Sequence, residues 1–123
     1  MVTLESGDGV ERIALHGPGL DVAVIAVADI PATFDGKVRH NVANALAAAA
    51  LAQGLGVAPE TIAQGLASFT ASLEHSQGRF NFVDDLPVRT LFDFAANPPA
   101  IRAMVRALEQ FPVAGRRIRA RAG

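Results

Sequence analysis

Along the 123-residue chain the hydrophobic positions change their period twice. The first third carries short runs rich in β-branched residues at 2–4, 12–15 and 22–27, which read as strands. Gly7-Asp8-Gly9 and Gly17-Pro18-Gly19 punctuate them as turns, so hairpins or a meander are expected. From 39 to 53 the chain is alanine-rich, and Val42, Leu46 and Ala49 repeat at helical spacing. Alanine has the best helix propensity, and its small side chain lets a neighbouring element come close. Gly54 and Gly56 supply the stop. A second helix begins at Pro59, which has no N–H to waste in a first turn, and its buried stripe is Ile62, Leu66 and Phe69.

A polar, glycine-containing link at 72–78 marks a boundary. Beyond it, 80–83 and 88–92 read as strands around the turn Asp84-Asp85-Leu86-Pro87, followed by a loop at 95–98. A third helix spans 99–110, with Ile101, Met104, Val105 and Leu108 as its stripe. Strand, loop and helix in that order form a βα unit, so the expected class is α/β, in two parts: residues 1–72 and residues 73–123. One βα unit plus the basic tail at 116–121 cannot close a doubly wound sheet, so we expect the chain to be cut from a longer protein.

Composition narrows the choices. Half the residues are hydrophobic and mean hydropathy is positive, which supports a packed core rather than disorder. A net charge of −1 gives no general drive toward nucleic acid or an acidic membrane. Without cysteine there can be no disulfide, thiolate metal site or cysteine nucleophile. The longest apolar stretches, 22–28 and 45–52, are too short to cross a bilayer, so a soluble, cytoplasmic protein is expected.

Three clusters carry candidate chemistry. His40, Asn41 and Asn44 open the alanine-rich helix at spacings that gather them on one face. Their carboxamides both donate and accept, which suits a purine edge or a ribose, and the helix N-terminus adds positive partial charge. The alternative is that they cap the first turn. Arg79, after Gly78, offers a planar fork for phosphate or carboxylate, or is a solvated surface charge. Asp93 falls at the carboxyl end of a strand, where open α/β sheets collect ligands. Asp93 or Asn97 could equally cap the next helix, with Pro98 or Pro99 in its first turn. His16 and His75 read as isolated, and Glu5, Asp8, Glu11 and Asp21 as solvated turn acids. Arg116, Arg117, Arg119 and Arg121 read as the basic end of an incomplete strand rather than a nucleic-acid contact.

Taken in order, these clusters resemble the Mur ligase superfamily. Gly36-Lys37-Val38-Arg39-His40-Asn41-Val42-Ala43-Asn44-Ala45-Leu46-Ala47-Ala48 is similar to the H-N-x-x-N helix that closes its central ATPase domain. Leu55-Gly56-Val57, then Ile62 and Leu66 to Phe69, match the usual sequel. Gly78-Arg79-Phe80-Asn81 resembles the glycine–arginine pair at the hinge into the C-terminal domain, and the segment from Asp93 to Pro98 a D-Y-A-H-N-P type of opening. Ile30-Pro31-Ala32-Thr33-Phe34 and the hinge wording are nearest to the cyanophycin synthetases. The resemblance runs from about Val27 to Leu108.

The resemblance implies a partial central domain followed by an incomplete, Rossmann-like C-terminal domain. It implies an enzyme that uses ATP and Mg2+ to turn a carboxylate into an acyl phosphate, which an amino-acid amine then displaces. Asn41 and Asn44 would meet the adenine with His40 beside them, Arg79 and Asp93 would lie near ribose and phosphates, and Asn97 of the same opening segment would be a further ATP-binding residue. Phe94 replaces a tyrosine and Ala96 a histidine of many relatives. No GxxxxGK(S/T) occurs in the chain, so the backbone cradle, phosphate lysine and magnesium-binding hydroxyl are lacking, and the family's magnesium ligands belong to the missing part. The 123 residues alone are therefore expected to be inactive, with unfinished edges that favour a homo-oligomer. The competing reading is a non-catalytic assembly or binding module.

Overall fold

A computed structural model describes residues 1–115; the arginine-rich end at 116–121 lies outside the described residues. Three strands, β1 (Val2–Gly7), β2 (Val10–Gly17) and β3 (Leu20–Ala26), form an antiparallel meander in the order β1-β2-β3. The two glycine turns set its register: Gly7 pairs with Val10, and Gly17 with Leu20. Between β2 and β3, Ile13 pairs with Ile25 but Ala14 with Ala23, leaving Val24 as the extra residue of a bulge.

Helix α1 (Arg39–Gly54) packs on the meander, and α2 (Pro59–Ser68) packs beside it. Ile13, Leu15, Val27, Ile30, Val42, Ala45, Ala49 and Ile62 make the first core. α1 ends in a Schellman arrangement: Val57 N–H donates to Ala52 C=O at 3.0 Å, and Gly56 N–H to Gln53 C=O at 3.0 Å. Gly56 takes φ +77°, which glycine adopts without a Cβ clash.

The second half adds a short antiparallel hairpin, β4 (Asn81–Val83) and β5 (Thr90–Phe92), and helix α3 (Pro98–Glu109). Its core holds Phe80, Ala107, Phe82, Leu91, Met104, Leu108 and Phe111, together with Phe34 and Val38 from the first half. The two halves thus share a core across residue 72. The class is mixed α/β, with two small antiparallel sheets.

Several local expectations need correcting. Phe80 is not in β4; its φ of +53° breaks the extended run and turns its ring inward. Phe69 is not on the buried stripe of α2, because the helix ends before it and leaves it half exposed. Glu5, Glu11 and Asp21 are not simply solvated, since antiparallel pairing and the packing of α1 on the sheet bring distant residues side by side. His16 Nδ1 lies 2.9 Å from Asp21, and its Nε2 lies 2.7 Å from Thr3 Oγ1 and 3.2 Å from Glu5. Glu11 accepts both arms of the Arg39 guanidinium, at 2.5 and 3.1 Å. His75 lies 3.0 Å from Thr70 Oγ1.

A candidate nucleoside cavity beside the start of helix α1

The loop preceding α1 is fixed by a residue that the sequence reading quoted only as part of the wording at 30–34, with no structural role assigned. Thr33 is fully buried, with Oγ1 2.7 and 2.8 Å from the carbonyl oxygens of Val27 and Ile30, and it accepts Gly36 N–H at 3.1 Å. It supports three successive left-handed residues, Phe34, Asp35 and Gly36, which bring the chain round into α1. There Asn41 Nδ2 donates to Ala32 C=O at 2.7 Å, tying the helix start back to the loop.

Neither His40 nor Asn41 caps α1. Its N-cap position is Val38, with no side-chain cap bond. With Asn41's donor engaged, its Oδ1 remains, which Asn44 Nδ2 reaches at 3.4 Å.

The loop ahead of β4, residues 71–80, whose Gly78-Arg79 wording was expected to mark a hinge, is organised by Asn81, also missed as a determinant. Its buried Oδ1 accepts Gly78 N–H at 2.6 Å and Arg79 N–H at 3.2 Å, and its Nδ2 donates to Ala71 C=O at 3.0 Å and Arg79 C=O at 3.2 Å. A buried amide with both ends satisfied fixes a loop strongly, because every alternative strands a polar group. The motif wording contained the signal, a polar residue next to an aromatic at the start of a strand. Asp93, just past β5, accepts Phe80 N–H at 2.9 Å, and Phe94 N–H donates to Gly78 C=O at 2.8 Å.

These tethers draw α1, the loop ahead of β4 and the β5–α3 loop around one cavity of about 450 Å³. His40, Asn41, Asn44, Arg79 and Asp93 all line it, with Ser76 and the apolar Phe69, Phe94 and Met104. Asn97 is not among them: it caps α3, Oδ1 accepting Ala100 N–H at 2.9 Å. Pro98 and Pro99 occupy that helix's first turn.

Burial pushes the His40 imidazole below its ordinary value, and the charge of Asp93 opposes that only in part. His40 Nδ1 is buried without a hydrogen-bond partner, and its ring stands edge-on to Phe80 at 5.6 Å. Arg79 is exposed, and its guanidinium makes no ion pair among the described residues. Chemically, the cavity offers carboxamides, a neutral imidazole, a carboxylate and a cation beside aromatic and aliphatic walls. Its size and mixed lining suit a heteroaromatic ring with a sugar. Among the described residues no group of three or more His, Asp or Glu side chains is placed to hold a metal ion. No helix there is long and apolar enough to cross a membrane.

No family model matches the chain. Over 88 residues it is 40% identical to a UDP-N-acetylmuramate--L-alanine ligase of Rhizobium meliloti (strain 1021), covering 71% of this chain and 17% of that enzyme. Over 77 residues it is 43% identical to a cyanophycin synthetase of Synechocystis sp. (strain ATCC 27184 / PCC 6803 / Kazusa), covering 61% of this chain and 9% of that enzyme. A UDP-N-acetylmuramate--L-alanine ligase of Xanthomonas campestris pv. campestris (strain B100) is 38% identical over 79 residues, again across 17% of its length. The two kinds of ligase match comparably well, so the cyanophycin-like wording of the hinge does not separate them. The chain spans less than a fifth of each of these relatives and is, by homology over that segment, a relative of the Mur ligase superfamily.

Proposed function

We propose that this chain forms the base- and sugar-binding side of the nucleotide site in an ATP-dependent carboxylate–amine ligase. On this reading residues 1–72 are the end of the central ATPase domain, and residues 73–123 the hinge and the start of the C-terminal domain. The supporting observation is the cavity itself, which collects His40, Asn41, Asn44, Arg79 and Asp93 from three separate segments. Bound ATP would supply the phosphoryl group that activates the substrate carboxylate. The residues here would orient the nucleoside: Asn44 and the Oδ1 of Asn41 at the base, Asp93 at the sugar, Arg79 toward the phosphates. Preorganised groups of this kind lower a phosphoryl-transfer barrier by position and charge.

Among the described residues the polyphosphate has little to hold it: Arg79 is the one cation there that lines the cavity, and Asp93 repels negative charge. The 123 residues also contain no phosphate-binding loop. The Mg2+ that accompanies ATP finds no ligand set among the described residues, so no step is assigned to it. The polypeptide alone therefore binds nucleosides weakly and does not turn over ATP.

Amide NMR titration tests this. Adenosine should shift resonances around Asn41, Asn44, Arg79 and Asp93, with ATP scarcely tighter. Shifts confined to other faces of the molecule, or none, would refute the assignment.

A second reading, an assembly module, is favoured by one observation. The outer surface of α1 carries Leu51 at 72% exposure, with Leu55 just beyond at 83%, and among the described residues β1 is an open sheet edge. Such surfaces favour homo-oligomers.

A further inference from the structure

We propose that Ser76 is a further ligand-binding residue of this cavity, its hydroxyl hydrogen-bonding the nucleoside part of the nucleotide; this rests on the nucleotide reading above. Among the described residues, two buried side-chain polar atoms lack any hydrogen-bond partner: Ser76 Oγ and His40 Nδ1. Both residues line the same cavity, though they come from different segments, the loop ahead of β4 and the first turn of α1. Native folds rarely strand a polar atom without a reason, and two stranded at one cavity point to a shared partner.

The backbone of Ser76 is held on both sides. Its N–H donates to Ser72 C=O at 2.9 Å, and its C=O accepts Arg79 N–H at 3.2 Å. The hydroxyl is thus presented from a fixed turn, which is the preorganisation a binding group needs. Nearby polar groups are already committed: Asn81 to the loop backbone, and Ser72 Oγ to His75 N–H at 3.1 Å.

Ser76 and His40 offer uncharged chemistry. A hydroxyl donates once and accepts twice, and a neutral imidazole donates once and accepts once. Burial keeps His40 toward that neutral form. Such a pair matches ribose hydroxyls or the ring nitrogens and amine of a purine. The phosphate charge is left to Arg79, the cation that lines the cavity among the described residues.

The test is the Ser76→Ala variant of the full chain, titrated with adenosine and with adenine by amide NMR, alongside thermal melts without ligand. Expected is about fivefold weaker adenosine binding, the loss of one hydrogen bond, with an unchanged or slightly higher melting temperature. A loss seen with adenine as well places the contact on the base; a loss with adenosine alone places it on the sugar. Equal affinity in both proteins would overturn the role of Ser76, because the hydroxyl is then served by water. A variant that melts markedly lower or fails to fold would overturn it too, since the hydroxyl would then be structural. Failure of the unaltered chain to show any cavity shifts with adenosine would remove the nucleotide reading itself, a distinct result.

Discussion

Asp93 accepts the backbone N–H of Phe80 at 2.9 Å, across thirteen residues of sequence. This bond joins the end of β5 to the loop ahead of β4 and fixes Phe80 at φ +53°, with its ring buried under Phe34, Phe82 and Phe111. One carboxylate thereby holds a strained backbone residue, closes a cavity wall and acts on a half-buried histidine.

Replacing Asp93 by alanine should destabilise the fold by about 1–3 kcal/mol, the cost of leaving a part-buried N–H without its acceptor. Asparagine keeps an acceptor and should lose less. Urea denaturation of the two variants measures the difference; equal losses would mean the charge, not the bond, matters.

Asn81→Asp should be more damaging than its shape suggests. The carboxylate still accepts Gly78 and Arg79 N–H but cannot donate to Ala71 and Arg79 carbonyls. A loss of about 2–3 kcal/mol is expected, read by the same denaturation. A loss below a few tenths would show that the loop ahead of β4 is not held by this amide.

Stability should depend on pH through His40. Its folded-state value lies below the ordinary 6.5, so the unfolded chain takes up the proton first as pH falls. The contribution of the neutral ring is complete above about pH 6.5 and is lost as pH drops toward the folded value. Wild type should therefore weaken more than His40→Gln between pH 7 and pH 5. Asp93→Asn should lower the His40 value further, by removing the charge that props it up. An NMR titration showing His40 at or above 6.5 would contradict the first, and no downward shift in Asp93→Asn the second.

Phe34→Ala should loosen the second half more than the first. Phe34 meets Phe80, Phe82 and Phe111 at ring distances of 5.7 Å, but it is no part of the meander core. A loss of about 3 kcal/mol is expected, with hydrogen exchange quickening in β4, β5 and α3 before β1–β3. Uniform loss of protection would mean the two cores melt as one.

Concentration-dependent association, followed by sedimentation, should weaken in Leu51→Lys. A monomer at every concentration would remove the assembly reading.

Local chemistry determined the elements. Glycine turns, the alanine-rich helix, Pro59 and the Gly56 stop were legible because each acts within a few residues. The order of the His40, Gly78-Arg79 and Asp93 clusters was likewise enough to indicate the superfamily. Partnership belonged to tertiary structure. That Glu11 pairs with Arg39, that Asn41 ties to Ala32, that Asn97 serves a helix end while Asp93 reaches Phe80, and that Phe34 belongs to the second core all depend on residues far apart in sequence. A polar side chain has many possible partners in the unfolded chain, and only packing leaves it one.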